Sequence, residues 1–367
     1  MILESDLTYM QRCLELALKG EFSSKPNPRV GCVIVKNGVL LAEGWHQFAG
    51  EVHAEVHALE KTGDAAVGAT LYVTLEPCSH HGKTAPCCDA IIAAGIKKVV
   101  YGMIDPNPKV AGKGLEKLTA AGVEVVGSVM ADECAELNPG FIKRMTTGMP
   151  YVRCKMAMSM DGRTAMASGE SKWITGEAAR QDAQLWRAKS SAVISGIETV
   201  LADDSSLNVR IDNRVIVQPL RVICDSKMRL NATAKTLQLP GTVILANAVK
   251  KEFTAPAGSK AIIEQLYLPA DDGLVNLSAL LNYLAQEKEC NEVLVEAGAT
   301  LSGAFITSGL VDELLIYVSP KLLGHQALPL LKIPGLEKLR DHLQLEFMEV
   351  SLLGKDCRMR ARVLKNQ

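Results

Sequence analysis

Charge of one sign is what this sequence most lacks. Forty Lys and Arg face 41 Asp and Glu, a formal net charge of −1, and the two signs are interspersed rather than blocked. Duplex nucleic acid asks for a basic, phosphate-tracking face, and the even balance argues against one, as does the absence of basic residues interleaved with aromatics. Long apolar runs are missing too: nothing approaches the ~20 residues of a membrane-crossing helix. The opening MILESDLTYM carries Glu4 and Asp6 and has no apolar core before a small-residue cleavage site, so no secretory signal is expected. Repeats and low-complexity tracts are absent, which leaves a globular chain. No G-x-G-x-x-G lies between a strand and a helix, so a Rossmann domain is not indicated. Ten cysteines run from Cys13 to Cys357, but only Cys78, Cys87 and Cys88 lie close together. That spacing fits reduced thiols better than a disulfide framework, and a cytoplasmic location is expected.

What is present is a large apolar fraction, 48 % of 367 residues, enough for two domains. The first part alternates helix-like and strand-like runs. Tyr9 to Lys19 reads as a helix, Val30 to Val35 and Leu40 to Gly44 as a hairpin about Asn37-Gly38, and Val52 to Thr62 as a second helix. A buried strand follows over Ala69 to Leu75. Cys87 to Ala94 reads as a helix stopped by Gly95, Lys98 to Met103 as a strand, Gly114 to Ala121 as a helix stopped by Gly122, and Val123 to Val126 as a strand. Small and turn-forming residues at 146–150 mark a boundary, giving expected domains 1–147 and 148–367. Beyond it, strands are expected at Tyr151 to Met158, Ala192 to Ser195, Arg221 to Asp225, Thr242 to Ala246, Glu292 to Glu296 and Glu313 to Val318. Helices at Gly176 to Ala188 and Leu277 to Glu287 lie between them. Alternation of this kind implies a largely parallel sheet covered by helices.

Two short stretches carry chemistry: HAEVHALE (His53 to Glu60) and LEPCSHHGKTAPCC (Leu75 to Cys88). A catalytic zinc needs three protein ligands and an open fourth position, where hydroxide becomes available near neutral pH. His53, Cys78 and Cys87 are candidates for those ligands, and Glu55 is the candidate carboxylate for moving protons during loss of ammonia. Base deaminases use H-x-E followed by P-C-x-x-C, and His53-Ala54-Glu55 and Pro77-Cys78 match it. Here eight residues rather than two separate Cys78 from Cys87, so the insert must loop out. Pro86 suits a first helical turn, and a thiol at a helix N-terminus is favoured as thiolate. That argument serves Cys87 and Cys88 equally, and spacing does not choose between them. A structural zinc clip, or a peptidase using His53 and His57, would share some of these residues. The peptidase motif, however, puts Glu directly after its first His, where Ala54 stands.

The sequence resembles the bifunctional riboflavin-biosynthesis deaminase/reductase family of bacteria. The resemblance rests on PNPRVGCVIV (Pro26 to Val35), HAE, TLEPCSHHGKTAPCC, DPNPKVAGKG (Asp105 to Gly114), SMDGRTA (Ser159 to Ala165) and VEAGATLSG (Val295 to Gly303), which span nearly the whole chain. It implies an α/β fold in two parts: an N-terminal cytidine-deaminase-like α/β/α sandwich and a C-terminal dihydrofolate-reductase-like α/β domain. The first would use zinc to hydrolyse the 2-amino group of a ribosylaminopyrimidine phosphate. The second would use NADPH to reduce the ribosyl chain to ribityl. The family's pattern gives the third ligand position to Cys87. It further implies substrate contacts at Asn27, His46, His80, Lys83, Asp105 and Asn107, with Ser171, Arg187, Leu207, Arg210 and Glu296 on the reductase side. Arginine forks suit a phosphate there.

On the same resemblance, Lys155 and Glu296 would help polarise the carbon that accepts hydride. The cofactor would lie against Ala157, Trp173, Thr199, Asp203, Ser226 and the run Gly298, Ala299, Thr300, Leu301, Ser302, Gly303 and Ala304. A glycine-containing turn into a helix exposes backbone N–H groups to phosphate. A homo-oligomer is implied by the family alone. Competing readings are a nucleic-acid base deaminase, a deaminase with a catalytically silent C-terminal half, and a zinc-stabilised nucleic-acid module. Lys83 and the reductase-like half favour a small phosphorylated substrate.

Overall fold

The computed structural model describes residues 2–80, 85–108 and 110–364. Two compact units divide the chain: Met1–Met149 with Val215–Val217, and Pro150–Arg214 with Gln218–Gln367. No helix among the described residues is long and apolar enough to cross a membrane.

In the first unit the order is α1 (Glu4–Ala17), β1 (Gly31–Lys36), β2 (Val39–Trp45), α2 (Ala54–Thr62), β3 (Thr70–Leu75), α3 (Cys87–Ala93), β4 (Lys98–Met103), α4 (Lys113–Ala120), β5 (Glu124–Val126), α5 (Ala131–Leu137) and α6 (Pro139–Thr147). Positive φ at both Asn37 (53°) and Gly38 (76°) closes β1 onto β2 with the two-residue turn that matches strand twist. The sheet runs β2-β1-β3-β4-β5, antiparallel at β1 and parallel from β3 to β5. Along β1 successive side chains alternate between two cores. Cys32 and Ile34 join Ala54, Ala58, Ile91 and Leu118, while Val33 and Val35 join Met10, Cys13, Leu14 and Leu137. A sheet covered on both faces explains why β1 is apolar almost throughout. Gly44 lets α2 press against β2: a Cβ there would stand 2.2 Å from Ala54 O and 2.7 Å from Ala58 N.

The second unit holds β6 (Tyr151–Ser159), β7 (Arg163–Ala165), α7 (Glu177–Lys189), β8 (Ala192–Gly196), α8 (Ile197–Asp203), β9 (Leu220–Cys224), β10 (Gly241–Asn247), β11 (Ala261–Tyr267), α9 (Leu277–Gln286), β12 (Glu292–Val295), α10 (Ala299–Thr307), β13 (Glu313–Ser319), β14 (Leu328–Pro329), β15 (Leu345–Leu353) and β16 (Asp356–Val363). Nine strands form one sheet in the order β11-β10-β9-β8-β12-β6-β13-β16-β15. It is parallel from β11 to β13 and antiparallel at β16 and β15.

At the N-terminal ends of β6, β12 and β13 lies a buried ion network. Arg153, 5 % exposed, donates through Nη1 to the Glu292 carboxylate and through Nε to Glu313 at 2.9 Å. Arg360 Nε donates to the other Glu313 oxygen at 2.6 Å. The Arg153 guanidinium also stacks on the rings of Tyr151 and Trp186, at 4.8 and 5.1 Å. Burial pushes the Glu313 carboxyl up, yet Arg153 and Arg360 outweigh it and hold the group below its ordinary value.

Candidate functional sites

In the first unit, three segments converge at one edge. His53 is the residue before α2, with extended backbone (φ −75°, ψ 166°), so the expectation that it lies inside a helix is corrected. Cys78 follows β3, and Cys87 opens α3 behind Pro86. One ligand atom from each of His53, Cys78 and Cys87 lies within 4.8 Å of the others. His53 Nδ1 is 3.2 Å from Cys87 Sγ and 3.5 Å from Cys78 Sγ. Nitrogen and sulfur sharing a tetrahedral zinc stand about 3.5 Å apart, so this donor set fits that ion. Cys88 points elsewhere: it is buried, and its Sγ donates to Pro77 O at 3.3 Å. His57 packs on Trp45 with ring centroids 5.1 Å apart and bonds Trp45 O, so the two histidines of the peptidase alternative do not converge.

Hydrogen bonds from Cys87 and His53 overcome burial and hold the Cys78 thiol well below its ordinary value. Glu55, in the first turn of α2, is 4 % exposed, and burial raises its carboxyl to about 7. Beside them His46 meets His53 edge to face at 5.3 Å. Its Nδ1 bonds Val52 O at 3.2 Å and its Nε2 meets the Asn27 side-chain nitrogen at 3.0 Å. A carbonyl only accepts, so Nδ1 carries the proton and Nε2 accepts from the amide. Burial lowers His46 to about 4, which suits that neutral tautomer. Asp105, 8 % exposed, accepts Asn107 N–H at 2.8 Å. His80 is exposed, and Lys83 lies outside the described residues. Glu76 is a buried carboxylate that the sequence reading passed over, although it stands in the same LEPC motif.

In the second unit a cavity of about 660 Å³ opens at the C-terminal ends of the parallel strands, where open α/β sheets bind ligands. Lys155, Ala157, Ser171, Trp173, Arg187, Thr199, Asp203, Leu207, Arg210, Glu296, Gly298 and Ala299 line it. Ser226, Thr300, Leu301, Ser302, Gly303 and Ala304 do not. Ser226 Oγ instead accepts Val275 N–H, and Ser302 and Gly303 are buried on α10. An adjoining cavity of about 350 Å³ shares the Lys155, Arg187 and Glu296 wall and adds Gln181, Gln184 and Tyr317.

That wall is an ion triad. Arg187 grips Glu296 with two parallel bonds, Nε to Oε1 at 2.5 Å and Nη2 to Oε2 at 2.9 Å, and its Nη1 donates to Asn208 O. Lys155 Nζ stands 3.5 Å from Glu296 Oε2. Burial pushes the Glu296 carboxyl up, but Arg187 and then Lys155 prevail and hold it at about 2. The pairing therefore adds stability above the ordinary carboxyl value and is lost only as pH falls toward 2. Arg187 is thus engaged by protein, where the resemblance implied phosphate. Arg210 is exposed and bonds Ser206 and Asn208 through Nη1. Arg180, not singled out from sequence, stacks on Trp173 at 4.6 Å.

Residues 3–103 match the model of the cytidine and deoxycytidylate deaminase zinc-binding region, and residues 150–359 match that of the RibD C-terminal domain. The Escherichia coli riboflavin biosynthesis protein RibD is 49 % identical over 362 residues, covering 96 % of this chain and 97 % of that one. The chain belongs to the RibD family. An Acinetobacter baumannii RibD structure, 49 % identical, superposes with a TM-score of 0.92 over 99 % of this chain and 100 % of the other. A Thermotoga maritima structure, 34 % identical, gives 0.87 over 98 % and 99 %. Its name is diaminohydroxyphosphoribosylaminopyrimidine deaminase/5-amino-6-(5-phosphoribosylamino)uracil reductase. As a RibD-family member the chain is a bifunctional deaminase and reductase of riboflavin biosynthesis, with a cytidine-deaminase-like N-terminal domain and a RibD reductase domain.

Proposed function

We propose that the chain acts twice on one phosphorylated pyrimidine, with residues 1–147 as the deaminase domain and 148–367 as the reductase domain. In the first reaction, water replaces the 2-amino group of 2,5-diamino-6-ribosylamino-4(3H)-pyrimidinone 5′-phosphate, and ammonia leaves. In the second, NADPH and a proton convert the ribosyl chain to ribityl, giving 5-amino-6-(5-phospho-ribitylamino)uracil. The convergence of His53, Cys78 and Cys87 beside buried Glu55 carries the reading. Ten free cysteines are in keeping with a cytoplasmic enzyme.

His53, Cys78 and Cys87 would hold the zinc, which would make hydroxide available near neutral pH. Glu55, raised to about 7, takes a proton from the attacking water and passes it to the departing nitrogen. Neutral His46 fixes the Asn27 amide, leaving the Asn27 carbonyl to accept from an amino group of the ring. Metal analysis separates the neighbouring thiols: Cys87→Ala is expected to lose most of its zinc, and Cys88→Ala to remain stoichiometric.

NADPH supplies the hydride of the second reaction. The N–H groups that open α10 would hold its phosphates, and Arg210 with Ser171 would receive the substrate phosphate in place of Arg187. Ionised Glu296 does not donate a proton; it orients Lys155, which is the group left to polarise the reacting carbon. Lys155→Met is expected to slow reduction of supplied deaminated substrate by roughly 10²-fold or more. Deamination should continue at its normal rate, with NADPH oxidation and ammonia release as the two readouts.

Mass analysis of products from the diaminopyrimidine ribosyl phosphate, with and without NADPH, tests the whole assignment. Deaminated product alone without NADPH, and reduced deaminated product with it, is the expected pair. Unchanged substrate from zinc-loaded protein would overturn the reading and favour a nucleic-acid base as substrate.

A further inference from the structure

Glu76 is two residues before Cys78 and 3 % exposed, and neither reaction as derived above employs it. Its carboxylate accepts three backbone N–H groups. Oε2 takes Asp105 at 3.2 Å and Gly112 at 2.9 Å, and Oε1 takes Gly114 at 2.9 Å. A buried carboxylate meeting three backbone donors forms charge-assisted bonds, stronger than neutral ones. Asp105 follows β4, Gly112 immediately precedes α4 and Gly114 lies in its first turn, so one side chain ties the end of β4 and the start of α4 to the segment that carries Cys78.

Neighbouring packing leaves that tie little freedom. A Cβ on Gly114 would stand 2.0 Å from Pro77 O and 3.1 Å from Glu76 Oε1. Cys88 Sγ donates to Pro77 O, and Cys88 N–H donates to Cys78 O at 3.2 Å. The stretch from Glu76 to Cys78 therefore fastens to the β4–α4 connection by its first residue and to the start of α3 by its last. Asp105 and Asn107 lie in that connection, held to each other at 2.8 Å.

We propose that Glu76 is a positioning residue for deamination: it sets Asp105 and Asn107 at the distance from Cys78 at which they hold the pyrimidine, and touches neither substrate nor metal. This rests on the reading of Asp105 and Asn107 as substrate ligands. Glu76→Gln keeps the shape but turns an acceptor into a donor facing at least one of the three N–H groups.

The test uses full-length, zinc-loaded Glu76→Gln. KM for deamination is expected to rise about tenfold while kcat changes less. Zinc should stay stoichiometric, reduction of supplied deaminated substrate should be unaffected, and hydrogen exchange should quicken at the Asp105, Gly112 and Gly114 amides. A lowered melting temperature with unchanged KM would overturn the proposal, because Glu76 would then be merely structural. Loss of zinc would overturn it too, because Glu76 would then act on the metal ligands. Should Glu76→Gln not fold, Glu76→Asp keeps the charge, draws it back by one methylene, and should give the same KM-weighted loss in smaller measure. Asp105→Asn and Asn107→Ala separate the two layers. If both leave KM unchanged, the substrate-ligand reading falls and the proposal with it; if they raise KM and neither Glu76 variant does, only the positioning role falls.

Discussion

Glu55→Gln should lower the deamination rate by roughly 10³-fold, within the range that a positioned acid–base group contributes. The change is nearly isosteric and leaves His53, Cys78 and Cys87 in place, so zinc content should not move. What disappears is the ability to take and return a proton: an amide cannot do so at neutral pH, whereas the buried carboxyl raised to about 7 can. Reduction of supplied deaminated intermediate should proceed at the unaltered rate, because Lys155, Glu296 and Arg187 belong to the other unit. Ammonia release, NADPH oxidation and bound zinc, measured on one preparation, decide the matter. Loss of both activities in folded, zinc-loaded protein would contradict this division of labour.

Arg153→Met should destabilise the second unit by about 3–5 kcal/mol, the cost of removing one partner from a buried ion pair. Methionine fills similar space beside Tyr151 and Trp186 but leaves Glu292 and Glu313 without the guanidinium they share. Glu313 keeps Arg360. Denaturant unfolding followed on reductase activity measures the shift. Replacing Glu292 as well, by Leu, should recover much of it, since an apolar pair at such a site is often as stable as the ion pair. No recovery would mean that packing against the two rings, rather than charge, makes the larger contribution.

Local signals made much of the fold legible. Asn37-Gly38 announced the β1–β2 turn, Gly95 and Gly122 lie just past the ends of α3 and α4 with positive φ, and β4 has the bounds its residues suggested. The start of α2 was misjudged at Val52 because apolar periodicity runs through His53, which backbone geometry leaves outside the helix. Strands β15 and β16 were passed over for another reason. On the edge strand β15, Phe347, Val350 and Leu352 are exposed. On β16 charged Arg358, Arg360 and Arg362 alternate with less polar residues, and the first two are half-buried in ion pairs.

Site residues divide in the same way. The zinc-ligand motif could be read because its residue types are rare in combination, while the choice between Cys87 and Cys88 depends on which way each thiol points. That Glu296, far along the chain, pairs with the Arg187 fork is something a linear sequence does not show.

Strand order gives the two halves different histories as the chain leaves the ribosome. The β2-β1-β3-β4-β5 sheet takes its strands from a short stretch of chain, so each finds a partner soon after it is made. β6 is flanked by β12 and β13, which begin only at Glu292 and Glu313. The first strand of the reductase half must wait for most of that half to be synthesised before either neighbour exists, and its apolar faces stay uncovered meanwhile. Late, long-range pairing of this kind is slow and prone to aggregation, so a truncation before β12 would leave a finished deaminase fold tethered to an unfinished sheet.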